Sequence, residues 1–376
     1  MQRSLQRLKG KAQFTTVMSA GRLAGLAAPG EKPKVAKDVV LETWDAVADG
    51  AHNSNTDLTD WNGQFYLAHQ TSPYHLGSRR SRMLLWRSPD ARTWEKVTEL
   101  KAETGEYRDP TFAHGRLFLY LLPNRERNPE PFTTAFTSSS DGTTWETLRE
   151  VDHPGWLYWR PKTKDGKSWY VTAYWHEHDK SRLLRTSDGV NWEEVSTVFE
   201  GERNDETDME FLPDGRIIST ARLEGHGGWS GDPNSGTLIA VTEEPYTKWS
   251  YARSGVTRLD GPCLFPYNGR VYAVGRYQAS FLPRFLGQGG LFSRKRTSLF
   301  LVEPDRLVRL TDLPSAGDTS YAGIAIRGDE MYVSYYTSDV AEDPPWVLGM
   351  FRTSAIKMAR ISLPALERLA FGDSAK

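Results

Sequence analysis

The chain has 376 residues, 38% hydrophobic and 12% aromatic, with 32 Gly and 13 Trp, the make-up of a packed protein rich in strands and tight turns rather than a disordered or fibrous one. Its 47 basic residues stand against 48 acidic ones, so no overall field draws in nucleic acid or an anionic membrane, and no apolar run approaches the roughly 20 residues of a membrane span. A single cysteine, Cys263, excludes an internal disulfide and a cysteine-based zinc site.

Residues 1–37 read as a basic, partly helical tail and linker. Arg3, Arg7, Lys9, Lys11 and Arg22 precede the first acid, Glu31, and the apolar stretch FTTVMSAGRLAGLAA is interrupted by Ser, Gly and Arg. That is a poor signal peptide, which favours a cytoplasmic location over secretion. PGEKPKVAKD then has linker composition.

From residue 38 to 363 a hairpin signature recurs. The instances are WNGQFYLAH at 61, AHGRLFLYL at 113, KDGKSWYVTAYW at 164, PDGRIISTAR at 213, YNGRVYAVGR at 267 and RGDEMYVSYY at 327. Asn-Gly and Asp-Gly supply the positive φ angles that a two-residue turn between right-twisted strands requires. The turn glycines Gly63, Gly115, Gly166, Gly215, Gly269 and Gly328 are 52, 51, 49, 54 and 59 residues apart, the period of one propeller blade. A second signature follows in phase: SPDARTW at 88, SSDGTTW at 139, TSDGVNW at 186 and a degraded EEPYTKW at 243. In these turns Ser or Thr and Asp bond backbone amides while the Trp packs between sheets. The expected fold is therefore all-β, a six-bladed β-propeller of four-stranded antiparallel blades. VVLETWDAV (39–47) and AIKMARISL (355–363) pair within one sheet to close the ring, and residues 364–376 form a C-terminal tail.

In a propeller the residues just upstream of each inner hairpin converge on the axis. Here those segments are polar: HNSNTD (52–57), EYRDP (106–110), LYWRP (157–161), NDETD (204–208), RLDGP (258–262) and GDTSY (317–321). Such groups are costly to desolvate unless they pair or meet a polar ligand. His52, Asn55, Asp260 and Asp318 stand in these segments, and the second strands add His176, Arg222, Arg276 and Tyr335. Because Arg108 and Asp109 are adjacent, a regular strand turns only one of them to the pocket. No phosphate-binding glycine loop opens a helix and no metal-ligand cluster recurs, so neither cofactor nor metal is expected.

The blades and their Trp-ending turns resemble the sialidase superfamily and its Asp boxes, although Asp and Trp stand one residue closer here than in the usual S-x-D-x-G-x-x-W. NDETDMEFLPDGRIISTAR (204–222) is similar to the sialidase segment in which a Glu precedes a hairpin and an Arg ends the next strand. AGDTSYAGIAIRGDEMYVSYY (316–336) is similar to the ending in which a Tyr opens the last blade. The resemblance implies that Tyr321 is a nucleophile, that Glu206 is the base activating it, and that Arg222 binds a substrate carboxylate. Family members carry an Arg-Ile-Pro near the first blade. The nearest equivalents here are Arg108 in YRDP and Arg160 in YWRP, on the second and third repeats. Arg276 is favoured over Arg296 as the third arginine, and Asp57 and Asp109 are both candidates for the general acid.

The leading expectation is an exo-acting glycoside hydrolase on a terminal acidic sugar, with a carbohydrate as partner. The alternatives are a polysaccharide lyase or a hydrolase of uronic or neutral sugars, using His52 or His176 with a Tyr, and a non-catalytic propeller that binds a glycan or protein. YQASFLPRFLGQGGLFSRKRTS (277–298) reads as a pocket rim or an oligomer contact, and Trp229 as a platform for a sugar ring.

Overall fold

The structure, a computed structural model, describes residues 15–21, 31–103, 105–113, 115–126, 128, 130–226, 231–279 and 288–372. Trp229, residues 280–287 of the 277–298 segment and most of the N-terminal tail lie outside them; the two ends of that segment belong to strands Arg270–Ala279 and Arg294–Glu303.

Six antiparallel sheets follow one another in chain order, each running outward from the axis. Blade 1 comprises His52–Trp61, Gln64–Ser72, Arg82–Ser88 and Glu95–Leu100. Blade 2 begins with Gly105–Ala113 and Leu117–Arg125. In blade 3 the inner strand is broken into Trp156–Tyr158 and Lys162–Thr163, both paired with Trp169–Trp175. Blade 4 opens with Asn204–Phe211 and Ile217–Leu223, and blade 5 with Asp260–Tyr267 and Arg270–Ala279. Blade 6 takes Thr319–Arg327, Glu330–Thr337 and Ala355–Ser362 from the end of the chain. Its outermost strand is Val40–Val47 from the beginning, paired antiparallel with Ala355–Ser362. The ring therefore closes as its sequence implies, with no inter-blade seam left open.

Local chemistry explains the turns. Asn62 and Gly63, and likewise Asn268 and Gly269, both adopt positive φ at their hairpins. In each of the three good Trp-ending turns one Asp oxygen accepts two backbone N–H groups: Asp90 from Arg92 and Thr93, Asp141 from Thr143 and Thr144, Asp188 from Val190 and Asn191. Trp192 then packs edge-on against Tyr120 and Tyr158 of the neighbouring layers.

One apolar cluster fills each of the six blade interfaces. Tyr66 and Leu85 meet Leu117 and Leu119 between blades 1 and 2, and Phe65 and Leu58 meet Tyr336 and Met358 between blades 1 and 6. Each such side chain contributes about 1.5–3 kcal/mol on burial, so the ring is held radially while its axis stays polar.

Two expected tails are structured. Lys34 N–H donates to Asp312 Oδ2 at 2.7 Å and Ala36 N–H to Thr311 Oγ1 at 2.9 Å, which lays residues 34–36 along the outer strand of blade 5. Leu363–Phe371, read as part of a tail, is a helix. Ser362 caps it by accepting from Ala365 N–H, Pro364 opens it, and Leu363, Ala365 and Leu366 insert between blades 5 and 6. No described helix is long and apolar enough to cross a membrane.

Candidate active site

The inner strands are irregular at the level of the axial cleft. Their ladders shift register at Ser54/Thr56, Arg108/Thr111, Asp205/Thr207, Asp260/Cys263 and Ser320/Gly323. Asn55, Asp109, Gly261, Ser320 and Tyr321 there have positive φ, of 47°, 42°, 60°, 99° and 46°. A bulge inserts an unpaired residue and re-aims its side chain, and non-glycine residues in this region are held there against strain. This corrects the alternation expected for Arg108 and Asp109: the bulge between Arg108 and Thr111 breaks the period of two, and both line the cleft.

The cleft measures about 100 Å³ and shares Glu130, Glu224, Arg258 and Trp346 with a wider chamber of about 680 Å³. Asn55, Arg108, Asp109, Glu206, Arg222, Arg276 and Tyr321, all named from the sequence, line it together. Tyr321 Oη donates to Glu206 Oε1, while Glu206 Oε2 accepts from Gly261 N–H at 2.7 Å and lies 2.9 Å from Arg222 Nη1. Gly261 is required twice over: it has positive φ, and a Cβ there would stand 3.0 Å from the Tyr321 ring. The ring is held edge-on by Trp159 at 6.3 Å and lies under the Arg276 guanidinium at 4.9 Å. Burial pushes the Glu206 carboxyl up to about 7 against the pull of Arg222. Burial, reinforced by the charge of Glu206, likewise pushes Asp109 up to about 7. Burial and Glu206 hold the Tyr321 phenol well above its ordinary value, with Arg222 and Arg276 opposing, so it rests protonated.

Every described arginine that lines the cleft already faces a carboxylate. Arg222 Nε donates to Asp205 Oδ1 at 2.6 Å and Nη2 reaches Glu224 at 3.4 Å. Arg258 grips both oxygens of Asp260 at 2.7 and 3.0 Å. Arg276 donates to Thr319 O at 2.7 Å and Tyr336 Oη at 2.8 Å, and lies 3.4 Å from Asp318 and 3.5 Å from Asp260. Arg108 donates to Glu106. Asp260 and Asp318, expected to touch substrate, instead stand behind these arginines, fully buried.

Other expected contacts fall elsewhere. Asp57 and Arg160 pair with each other at 2.6 Å and do not line the cleft. Arg160 also donates to Ala322 O at 2.7 Å and Pro262 O at 3.3 Å, and Asp57 accepts from Phe112 N–H at 2.7 Å. Together they tie blades 1, 2, 3, 5 and 6 across the axis. Breaking a buried pair from one side leaves an uncompensated charge, so Arg160→Met is expected to lower unfolding stability by about 3–5 kcal/mol in urea denaturation. A loss below about 1 kcal/mol would show the pair to be dispensable.

His52 is turned toward Asp318 and Arg352 O, behind His75, which is the histidine that lines the cleft. His176 leans on Trp175 outside the cleft lining. Two residues on, His178 is buried among Asp205, Glu224 and Glu130, whose charges outweigh the effect of burial and raise it to about 10. Tyr335 faces the inter-blade core with its hydroxyl on Pro314 O, whereas Tyr336 faces Arg276. The residues missed, His75, Glu130, Tyr174, Glu224, Arg258 and Trp346, lie mostly on loops. Glu224 and Arg258 carried a signal: each is two residues from a named group, Arg222 and Asp260, and such pairs share a strand face.

No protein-family model matches the chain, and no curated protein does. Solved structures do. A Dyadobacter fermentans protein of unknown function matches with a TM-score of 0.63 at 15% identity, over 86% of this chain and 98% of that one. The sialidase of Trypanosoma rangeli matches at 0.58 and 12% identity, over 85% of this chain and 56% of that one. The intramolecular trans-sialidase of Ruminococcus gnavus matches at 0.57 and 12%, over 86% and 97%. At these identities the likeness is one of fold, and the chain is a six-bladed propeller folded like the sialidases.

Proposed function

We propose that the chain is a retaining glycoside hydrolase in which Tyr321 is the nucleophile, Glu206 its base and Asp109 the acid for the leaving oxygen. The hydrogen bond from Tyr321 Oη to Glu206 Oε1, in a cleft that Asp109 also lines, carries this reading. A protonated phenol is a weak nucleophile, and a carboxylate already bonded to its proton takes that proton as the oxygen attacks the anomeric carbon. The glycosidic C–O bond breaks while Asp109 protonates the departing oxygen. In the second half Asp109 takes a proton from the incoming water, the water oxygen displaces the tyrosine, and Glu206 returns the proton to the phenolate. The electron-rich walls suit the positive charge that develops on the sugar. Neither histidine invoked for lyase chemistry lines the cleft.

The test is fluorophore release from a panel of aryl glycosides across pH. Glu206 must be ionised and Asp109 protonated, and both sit at about 7. Activity is therefore lost below that value as Glu206 gains a proton, and above it as Asp109 loses one. A bell-shaped kcat/KM profile with its apex near pH 7 is therefore expected. A profile flat from about pH 5 to about pH 9 would count against these roles.

A further inference from the structure

We infer that the cleft selects a neutral, hydroxyl-rich sugar and discriminates against sugars bearing a carboxylate. This rests on the proposal that the cleft binds a sugar, but not on how that sugar reacts. Three observations support it.

The first is the charge balance. Arg108, Arg222, Arg258 and Arg276 line the cleft, and Glu106, Asp205, Glu206, Asp260 and Asp318 lie within 3.5 Å of them, with Glu224 at 3.4 Å from Arg222. Of the other bases nearby, His178 is enclosed by Asp205, Glu224 and Glu130, and Lys295 Nζ, above the Trp346 ring, is bonded to Gln278 Oε1. Among the described residues that line the cleft, an incoming carboxylate finds no guanidinium without a carboxylate of its own, and it meets the further negative charge of the wall. Desolvating an anion there has little to offset it.

The second is the set of unsatisfied atoms. Asn55 is 4% exposed, lines the cleft, and its Oδ1 is buried without a hydrogen-bond partner among the described residues. Asp109 Oδ1, on the same cleft, is in the same state. Asn55 Oδ1 is an acceptor, and Asp109 Oδ1 is one whenever the carboxyl proton sits elsewhere. They are satisfied by a ligand that donates, and sugar hydroxyls donate whereas a carboxylate only accepts.

The third is position. Asn55, an uncharged residue, stands at the cleft on the first blade's inner strand, fixed at φ 47°, a conformation Asn tolerates.

The experiment is a binding titration on the full chain carrying Tyr321→Phe, by calorimetry, with sugars matched in pairs that differ only at C6: glucose with glucuronic acid and galactose with galacturonic acid. The neutral member of at least one pair is expected to bind about tenfold or more tightly than its acid. Asn55→Gly removes the acceptor without straining the backbone, and should weaken the neutral sugar by about 3–10-fold while leaving the weaker acid nearly unchanged. Equal or tighter binding of the acid, or no discrimination in favour of the neutral member in any pair, overturns the inference. Aryl glycoside turnover by the wild type separates the two proposals. Discriminating binding without any turnover removes the hydrolase and leaves the selectivity standing, while turnover confined to acid-bearing glycosides does the reverse.

Discussion

Tyr321→Phe is expected to fold as the wild type does and to lose turnover by on the order of 10⁴-fold. Fold retention follows from what the ring touches. Trp159 at 6.3 Å, Tyr336 at 6.4 Å and the Arg276 guanidinium at 4.9 Å all contact the aromatic body, which phenylalanine keeps. Only the hydroxyl is lost, and its partner Glu206 retains Gly261 N–H and Arg222. A hydrogen bond to a buried carboxylate contributes about 1.5–3 kcal/mol, so the melting temperature should fall by several degrees while the fold is kept. Turnover falls because phenylalanine has no atom to form the bond to the anomeric carbon. Glu206→Gln should follow with a loss of about 10²–10⁴-fold, since an amide does not take the phenol proton. The measurement is kcat on an aryl glycoside beside a thermal melt of the same preparation. A Tyr321→Phe protein within about tenfold of wild type would remove the tyrosine from the chemistry.

How much of this was legible in the sequence varies by residue. The ring was, because Asn-Gly and Asp-Gly turns impose their own φ angles and their spacing repeats the blade. The convergence of Asn55, Asp109, Glu206 and Tyr321 followed from topology alone: four positions roughly 50 to 115 residues apart occupy equivalent inner-strand sites. Exact facing was not legible. A strand alternates with a period of two, so an error of one residue exchanges its two faces: Tyr335 packs between blades 5 and 6 with its hydroxyl on Pro314 O, whereas Tyr336 packs between blades 1 and 6 and brings its hydroxyl to Arg276. Bulges suspend that period locally, and no composition rule announces them, which is why Arg108 and Asp109 share a cleft. Nor does a strand pattern show whether an aspartate faces a ligand or another side chain. Asp57 and Asp109 stand at the same sequence distance before their hairpin glycines, Gly63 and Gly115, yet one pairs in the ladder and is neutralised by Arg160 while the other sits in the bulge and keeps an unpartnered oxygen. His75 comes from a loop and Trp346 from the one-turn helix Trp346–Gly349, both outside the repeating strands and placed by tertiary contacts such as the bonds from Trp346 Nε1 and His75 Nδ1 to Asp318.

The two aspartates are separated by a second experiment. If Asp109 protonates the leaving oxygen, Asp109→Asn should matter in proportion to how badly that oxygen needs a proton. An alkyl glycoside, whose leaving alcohol is strongly basic, should lose about 10²–10⁴-fold in kcat/KM, and an aryl glycoside with an acidic phenol less than about tenfold. The alkaline limb of the pH profile should vanish as well, because the group that loses its proton near 7 has been replaced. Asn is the suitable substitute, since it keeps the side-chain size and tolerates φ 42°. Asp57→Asn should behave oppositely. It weakens the tie to Arg160 and so lowers the melting temperature, but both substrates should slow to the same small extent, because Asp57 does not line the cleft. An equal loss on both leaving groups in Asp109→Asn, with the alkaline limb unchanged, would take the acid role away from Asp109. The wild-type rise in pKa would then reflect burial beside Glu206 and nothing catalytic.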